Sequence, residues 1–223
     1  MQYFNKDVTL PITHVETSLG VRFDSPLLFT PQINIILRCS YRFISEIFKI
    51  RKFLTVNDIR SFVQAVIVSR IDNCNSILYG IQECELNRLQ MLQNSSARLI
   101  YGRRKCDHVS DLFLDLHWLP VKQRIIFKTL LFVLKIFLGM SPEYLSDCIK
   151  ITDSDNRILF VSRFNTSYGS RAFSNSAPRL WNALPPFLRK SETVSYFKAH
   201  LKHHLFSHFN EFSHEVNKYK KYL

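Results

Sequence analysis

Pro120 sits at the most apolar point of the chain. Leu116-His117-Trp118-Leu119 leads into it, and residues 121–139 follow as an almost unbroken hydrophobic run. A proline disfavours helix at the residue before it, yet its fixed φ suits the first turn of a new helix, so a helix is expected to begin at Val121. Gly139, with Pro142 beyond it, is a helix-stop pattern. Arg124, Lys128 and Lys135 fall on one narrow stripe, and nearly every other position is apolar. Such a helix is wrapped by protein on most sides and keeps one wet, basic edge. A membrane span needs about 20 residues without central charges. Lys128 and Lys135 interrupt the run, so no membrane partner is expected.

The rest of the chain supplies what such a helix needs around it. Of its 223 residues, 46% are hydrophobic, enough for a substantial core. Five Gly against nineteen Phe favours helices over Gly-rich loops or a β-barrel. Lys and Arg outnumber Asp and Glu by 30 to 18, and the surplus is uneven. Residues 31–105 carry +7 and residues 151–223 carry +6, whereas 106–150 are neutral. A neutral hub with basic flanks suits a protein that presents cationic surfaces to a polyanion. Cys39, Cys74, Cys84, Cys106 and Cys148 are odd in number, widely spaced and without a CxxC pair, which argues against a disulfide framework and a zinc site. Residues 1–7 are polar and mixed rather than an apolar signal region. An intracellular protein, nuclear or cytoplasmic, is expected.

Along the chain, residues 8–24 read as two short strands, one around Val8 and Leu10 and one over Leu19-Gly20-Val21-Arg22-Phe23. A hairpin of that size is not stable without something to pack on. From Pro31 the period becomes helical. Ile33, Leu37, Ile44 and Phe48 are expected inward, while Arg38, Arg42, Ser45 and Lys49 form a polar stripe. Arg51-Lys52 extend the charge. Thr55 is expected to cap a second helix reaching about Arg70. A third helix is expected over 83–101, with Leu86, Leu89, Leu92 and Leu99 inward, Gly102 ending it and Arg103-Arg104-Lys105 at its C-terminus. Asp107 is expected to cap a short helix before Leu116. Beyond the central helix, 153–156 reads as a turn, 158–161 as extended and 165–170 as loop. Helices are expected over 172–184 and through Phe197, Leu201, Leu205 and Phe209.

Catalytic patterns are missing from the sequence: no GxSxG, HExxH, P-loop or adjacent Asp pair occurs. Asp111 and Asp115 read as an exposed acidic face. His200, His204 and His208, with His203 beside them, recur on one helix face. Three consecutive turns span about 12 Å, too far for one ion, so a solvated face is expected and no metal. The basic sets suit a phosphate backbone better: Arg38, Arg42 and Lys49; Arg51 and Lys52; Arg103, Arg104 and Lys105; and Arg124 with Lys128. Tyr41, Phe53 and Tyr101 lie beside them as candidate stacking surfaces.

Three runs together resemble a known family. They are Leu89-Gln90-Met91-Leu92-Gln93-Asn94-Ser95-Ser96-Ala97-Arg98-Leu99-Ile100, then Leu114-Asp115-Leu116-His117-Trp118-Leu119-Pro120-Val121-Lys122-Gln123-Arg124-Ile125, and then Tyr168-Gly169-Ser170-Arg171-Ala172-Phe173-Ser174 with Ala177-Pro178-Arg179-Leu180-Trp181-Asn182-Ala183-Leu184-Pro185. In order and spacing they resemble the C-terminal region of reverse transcriptases from LINE-type non-LTR retrotransposons of the jockey-like lineages. Leu19, Gly20 and Val21 resemble the strand leading into that family's primer grip. Arg70-Ile71-Asp72-Asn73-Cys74-Asn75 with Leu78-Tyr79-Gly80 resembles its thumb.

The resemblance implies a mainly α, irregular helical bundle with a small N-terminal β-hairpin remnant of a polymerase palm. It implies three parts: an end-of-palm hairpin over 1–30, a thumb-like bundle over 31–105 and a post-thumb helical region over 106–223. It further implies RNA and DNA, held as template–primer through backbone contacts, as partners, together with the polymerase palm itself. The family's catalytic aspartates have no counterpart here, so no catalytic residue and no cofactor is expected in this chain, and Mg would belong to the palm. A non-enzymatic protein-interaction module retained by a host and a relic without selected function are the alternative expectations.

Overall fold

The computed structural model describes residues 15–219, with side chains as far as residue 207. About 64% of the structure is helical, an irregular bundle with a small antiparallel hairpin at its N-terminal end. The hairpin pairs β1 (Val15–Ser18) with β2 (Val21–Asp24), Ser18 opposite Val21. The strand expected around Val8 and Leu10 lies outside the described residues. Leu19 and Gly20 are the turn rather than part of the second strand, with φ of 48° and 79°. A two-residue hairpin loop with positive φ at both positions matches the twist of its strands, and glycine adopts such a φ without strain. β2 docks on the first helix, α1 (Thr30–Ile50): Val21 is buried, and the Arg22 amide donates to Gln32 Oε1 at 3.0 Å. The Asp24 carboxylate accepts from the amides of Leu28 (3.1 Å) and Phe29 (2.7 Å), fixing the corner between strand and helix.

α1 buries Ile33, Ile36, Leu37, Ser40 and Ile47. Phe48, expected inward, is 71% exposed. The chain turns into a 3-10 segment, Arg51–Phe53, just beyond it, and the face under Phe48 opens onto a cleft. Thr55 caps α2 (Val56–Val63) as expected, through a reciprocal capping box with Asp58. The helix passes through a π turn, Gln64–Val68, into α3 (Ser69–Asp72), so it runs continuously past Arg70. α4 (Glu83–Tyr101) buries Leu86, Leu89, Leu92 and Leu99 and ends at Gly102, φ 65°, where the Arg103 amide reaches back to the Arg98 carbonyl at 3.0 Å.

Asp107 does not cap the next helix, α5 (Ser110–Asp115), which begins after Val109. Its carboxylate instead accepts from the Arg104 amide (2.8 Å), and its carbonyl accepts from the Arg98 guanidinium (3.0 and 2.9 Å). α5 closes with His117 in the left-handed region, φ 53°. The Trp118 amide donates to the Phe113 carbonyl (2.9 Å) and the His117 amide to Leu114 (3.1 Å), a Schellman ending.

The central helix, α6 (Val121–Phe137), begins where the Pro120 rule places it. Two glutamines of α4 hold the joint on both sides of the proline. Gln93 Nε2 donates to the Leu119 carbonyl at 2.9 Å, and the Val121 amide donates to Gln90 Oε1 at 2.9 Å. α6 belongs to two apolar cores. Val121 and Ile125 join a first core with α1, α2, α4 and α5, and Leu130, Leu131, Val133 and Leu134 join a second.

The second core is covered by the remaining elements. α7 (Glu143–Ser146) leads to a small hairpin of β3 (Ile151–Asp153) and β4 (Ile158–Leu159), which gives the extended run at Ile158 a partner that its sequence did not indicate. Residues 165–170, expected as loop, contain a short helix, α8 (Ser167–Arg171), because the Thr166 hydroxyl accepts from the Gly169 amide and caps it. α9 (Phe173–Asn182), α10 (Pro186–Arg189) and α11 (Val194–Tyr219) complete the chain. Trp181 is fully buried, stacked on Phe137 at 5.3 Å, and donates its indole N–H to the Arg157 carbonyl (2.7 Å). Asn182 acts as a strand neighbour for β4, accepting from the Leu159 amide and donating to its carbonyl. Phe197, Leu201 and Leu205 are buried as expected; the side chains of His208 and Phe209, and residues 220–223, lie outside the described residues.

Gln93 is buried, and replacing it with an apolar residue leaves the Leu119 carbonyl without its donor. Gln93→Leu is expected to cost about 1–3 kcal/mol, read as a lowered urea midpoint with an unchanged m value. Met91→Leu, at an exposed position on the same helix, is expected to change stability by under about 0.5 kcal/mol.

Candidate nucleic-acid interface

The cations singled out in the sequence fall on three separate surfaces. Arg38, Arg42 and Lys49 are exposed along α1 on the side away from its buried residues, over about 16 Å of helix. The Lys49 ammonium meets Glu46 at 3.0 Å, an exposed i,i+3 pair of little energetic weight. Among the described residues Arg38 and Arg42 have no hydrogen-bond or ion-pair partner. Tyr41 is 40% exposed beside them.

The second surface is a cleft of about 580 Å³ where the end of α1 meets the end of α4. It brings together Arg51, Lys52, Arg98, Arg103 and Lys105, with Ile44 and Phe48 as apolar wall. Two clusters 50 residues apart in sequence therefore converge; Arg104 is exposed but outside the lining. The cleft does not merge with the α1 stripe. At 3.6 residues per turn, Ile44, Phe48 and Arg51 lie roughly a third of a turn round the helix from Arg38, Arg42 and Lys49.

The residues of this cleft differ in what holds them. Arg51 is half-buried, and its guanidinium donates to the carbonyls of Leu99 (3.0 Å) and Ile100 (3.3 Å), capping the C-terminus of α4. A Cβ at Gly102 would come within 2.5 Å of that guanidinium, so a larger residue there would meet a positive φ and would also push Arg51 off its two carbonyls. Lys52 lies over the ring of Phe53 at 4.8 Å, and Phe53 is 77% exposed. The Tyr101 hydroxyl is taken by Asp115, which leaves that ring half-buried and poorly placed to stack.

The third surface lies between the two cores, in a cleft of about 900 Å³ bordered by α2, α6 and α11. Arg124 and Lys128 reach it from the central helix. Arg124 also makes a fork-like pair with Asp72, Nε to Oδ1 at 2.8 Å and a second contact at 2.5 Å, which ties α6 to the end of α3. Three further cations on this cleft were not singled out in the sequence: Arg60, Lys198 and Lys202. The i,i+4 spacing of Lys198 and Lys202 was visible, but their meeting with Lys128 depends on how α11 packs on α6. Burial, and then the nearby Arg124 charge, holds the Lys202 ammonium below the usual lysine pKa.

The remaining candidates separate cleanly. Leu19 and Gly20 form an exposed turn and Val21 is buried beneath it, so the primer-grip-like segment presents a turn tip rather than a strand. His200 stacks on Tyr196 at 3.8 Å and donates through Nδ1 to the Tyr196 carbonyl. Among the described residues no group of three or more His, Cys, Asp or Glu side chains is placed to hold a metal ion, and no helix is long and apolar enough to cross a membrane. All five cysteines are free thiols. No family model, curated protein or solved structure matches the chain.

Arg51 and Lys52 should behave differently when truncated. Arg51→Ala uncovers two helix-end carbonyls and is expected to cost about 1.5–3 kcal/mol. Lys52→Ala, exposed and without a hydrogen bond, should stay within about 0.5 kcal/mol. Thermal unfolding of the two variants checks this.

Proposed function

We propose that the chain is the end-of-palm, thumb and post-thumb part of a LINE-type reverse transcriptase, an RNA-directed DNA polymerase of a retrotransposon. In this reading it has no polymerase activity of its own and holds template–primer nucleic acid by its backbone. The observation that carries the reading is the set of exposed cations that have no side-chain partner among the described residues: Arg38 and Arg42 on α1, and Arg103 and Lys105 at the cleft beside it. Side chains left free on the solvent faces of packed helices suit phosphate contacts, which position a duplex without reading its bases.

The motifs of the family resemblance fit the same reading in a different way. Their residues form the frame: Gln90, Gln93, Leu119 and Pro120 build the α4–α6 joint, and Trp181 with Asn182 secures the small β3–β4 hairpin. A second reading, a protein-docking module, is favoured by the exposure of Phe48, Ile50, Phe53 and Val56 within nine residues.

Binding of an RNA–DNA heteroduplex, followed by fluorescence anisotropy across a salt series, separates them. Five backbone contacts give a slope of log K against log salt of about −4. The Arg38/Arg42/Lys49→Ala triple variant is expected to reduce that slope by two to three units. A flat salt dependence, or a triple variant that binds unchanged, would overturn the proposal.

A further inference from the structure

The cleft between the two cores has a composition that surface charge for solubility does not explain. Among the described residues, five of its lining side chains are cations, Arg60, Arg124, Lys128, Lys198 and Lys202, against a single carboxylate, Asp72, which Arg124 already engages. The cations come from three elements far apart in sequence, so the fold gathers like charges at some electrostatic cost. The effect is visible at Lys202, whose ammonium is disfavoured by burial and by Arg124. An anion seated there would offset both.

The same cleft is not uniformly charged. Phe127, Leu131 and Trp118 give it an apolar floor. Asn75, also in the lining, is 3% exposed, and its Oδ1 is buried without a hydrogen-bond donor, although its Nδ2 faces Asp72. The volume of about 900 Å³ is in the range of small-ligand sites.

We propose that this cleft binds a phosphorylated nucleoside, in the form of a unit of single-stranded nucleic acid. The phosphate lies against Lys128, Lys198 and Lys202, and the base lies on the apolar floor near Phe127. The site is distinct from the α1 stripe and stands whether or not the chain derives from a polymerase. A free nucleotide offers the same chemistry, so the test separates the two sources.

The full chain is titrated with a fluorescein-labelled RNA octamer, with unlabelled AMP as competitor. Lys198→Ala/Lys202→Ala is expected to weaken octamer binding at least tenfold. Lys150→Ala/Lys190→Ala removes the same charge from exposed positions outside the cleft and should weaken it less than twofold. AMP that fails to compete identifies the strand as the ligand, and AMP that competes in a Lys198- and Lys202-dependent way identifies the free nucleotide; either supports a nucleotide cleft. Absence of octamer and AMP binding, or equal effects of the two lysine pairs, would overturn it. Loss of duplex binding in the α1 variant alone bears on the proposed function and leaves the cleft untouched.

Discussion

The arrangement depends on how two side-chain amides of α4 hold the peptide groups around Pro120. Pro120 breaks the helical hydrogen-bond pattern, and the chain must turn there, inside apolar surroundings, between α5 and α6. The Leu119 carbonyl and the Val121 amide would be left without partners, but Gln93 and Gln90 supply one each. Gln90 also donates to Asn94, so the pair is part of a short amide network along one helix face. This fixes the direction in which α6 leaves the first core, and therefore where its second half meets α9 and α11.

The positions of the basic residues follow from that direction. Because α6 crosses from one core to the other, Arg124 and Lys128 stand at the seam, where α11 brings Lys198 and Lys202 alongside. The α1 stripe is set independently, by the burial of the opposite helix face. The Arg51 cleft depends on a third device, the glycine ending of α4, which admits a guanidinium against its last carbonyls. Arg171 adds a long-range tie, donating to the Leu27 carbonyl at 3.0 Å and packing close to Gly80. It joins the end of α8 to the corner after β2.

Local chemistry made much of the fold legible in the sequence. Pro120 and Gly139 marked α6, Gly102 marked the end of α4 and Thr55 marked the start of α2, each through a rule that acts within one turn of helix. The misreadings came where a partner distant in sequence decides. Asp107 carries a capping side chain, but Arg98 and the Arg104 amide claim it. Phe48 continues the apolar period of α1 beyond the point where anything covers it. Ile151–Asp153 becomes a strand because β4 lies next to it, held by Asn182. The candidate site follows the same pattern. Each basic cluster was visible by itself, but neither the meeting of Arg51 with Arg103 nor that of Lys128 with Lys202 can be read from spacing alone.

Lysine footprinting tests most directly the proposal that the exposed cations of α1 and its neighbouring cleft form a surface for a phosphate backbone. The chain is labelled with an amine-reactive reagent, free and saturated with an RNA–DNA heteroduplex, and modification is read by mass spectrometry. Lys49, Lys52 and Lys105 are expected to be protected by the duplex, while the exposed Lys150 and Lys190 react as before. Unchanged labelling of Lys49, Lys52 and Lys105 in the saturated complex would contradict it.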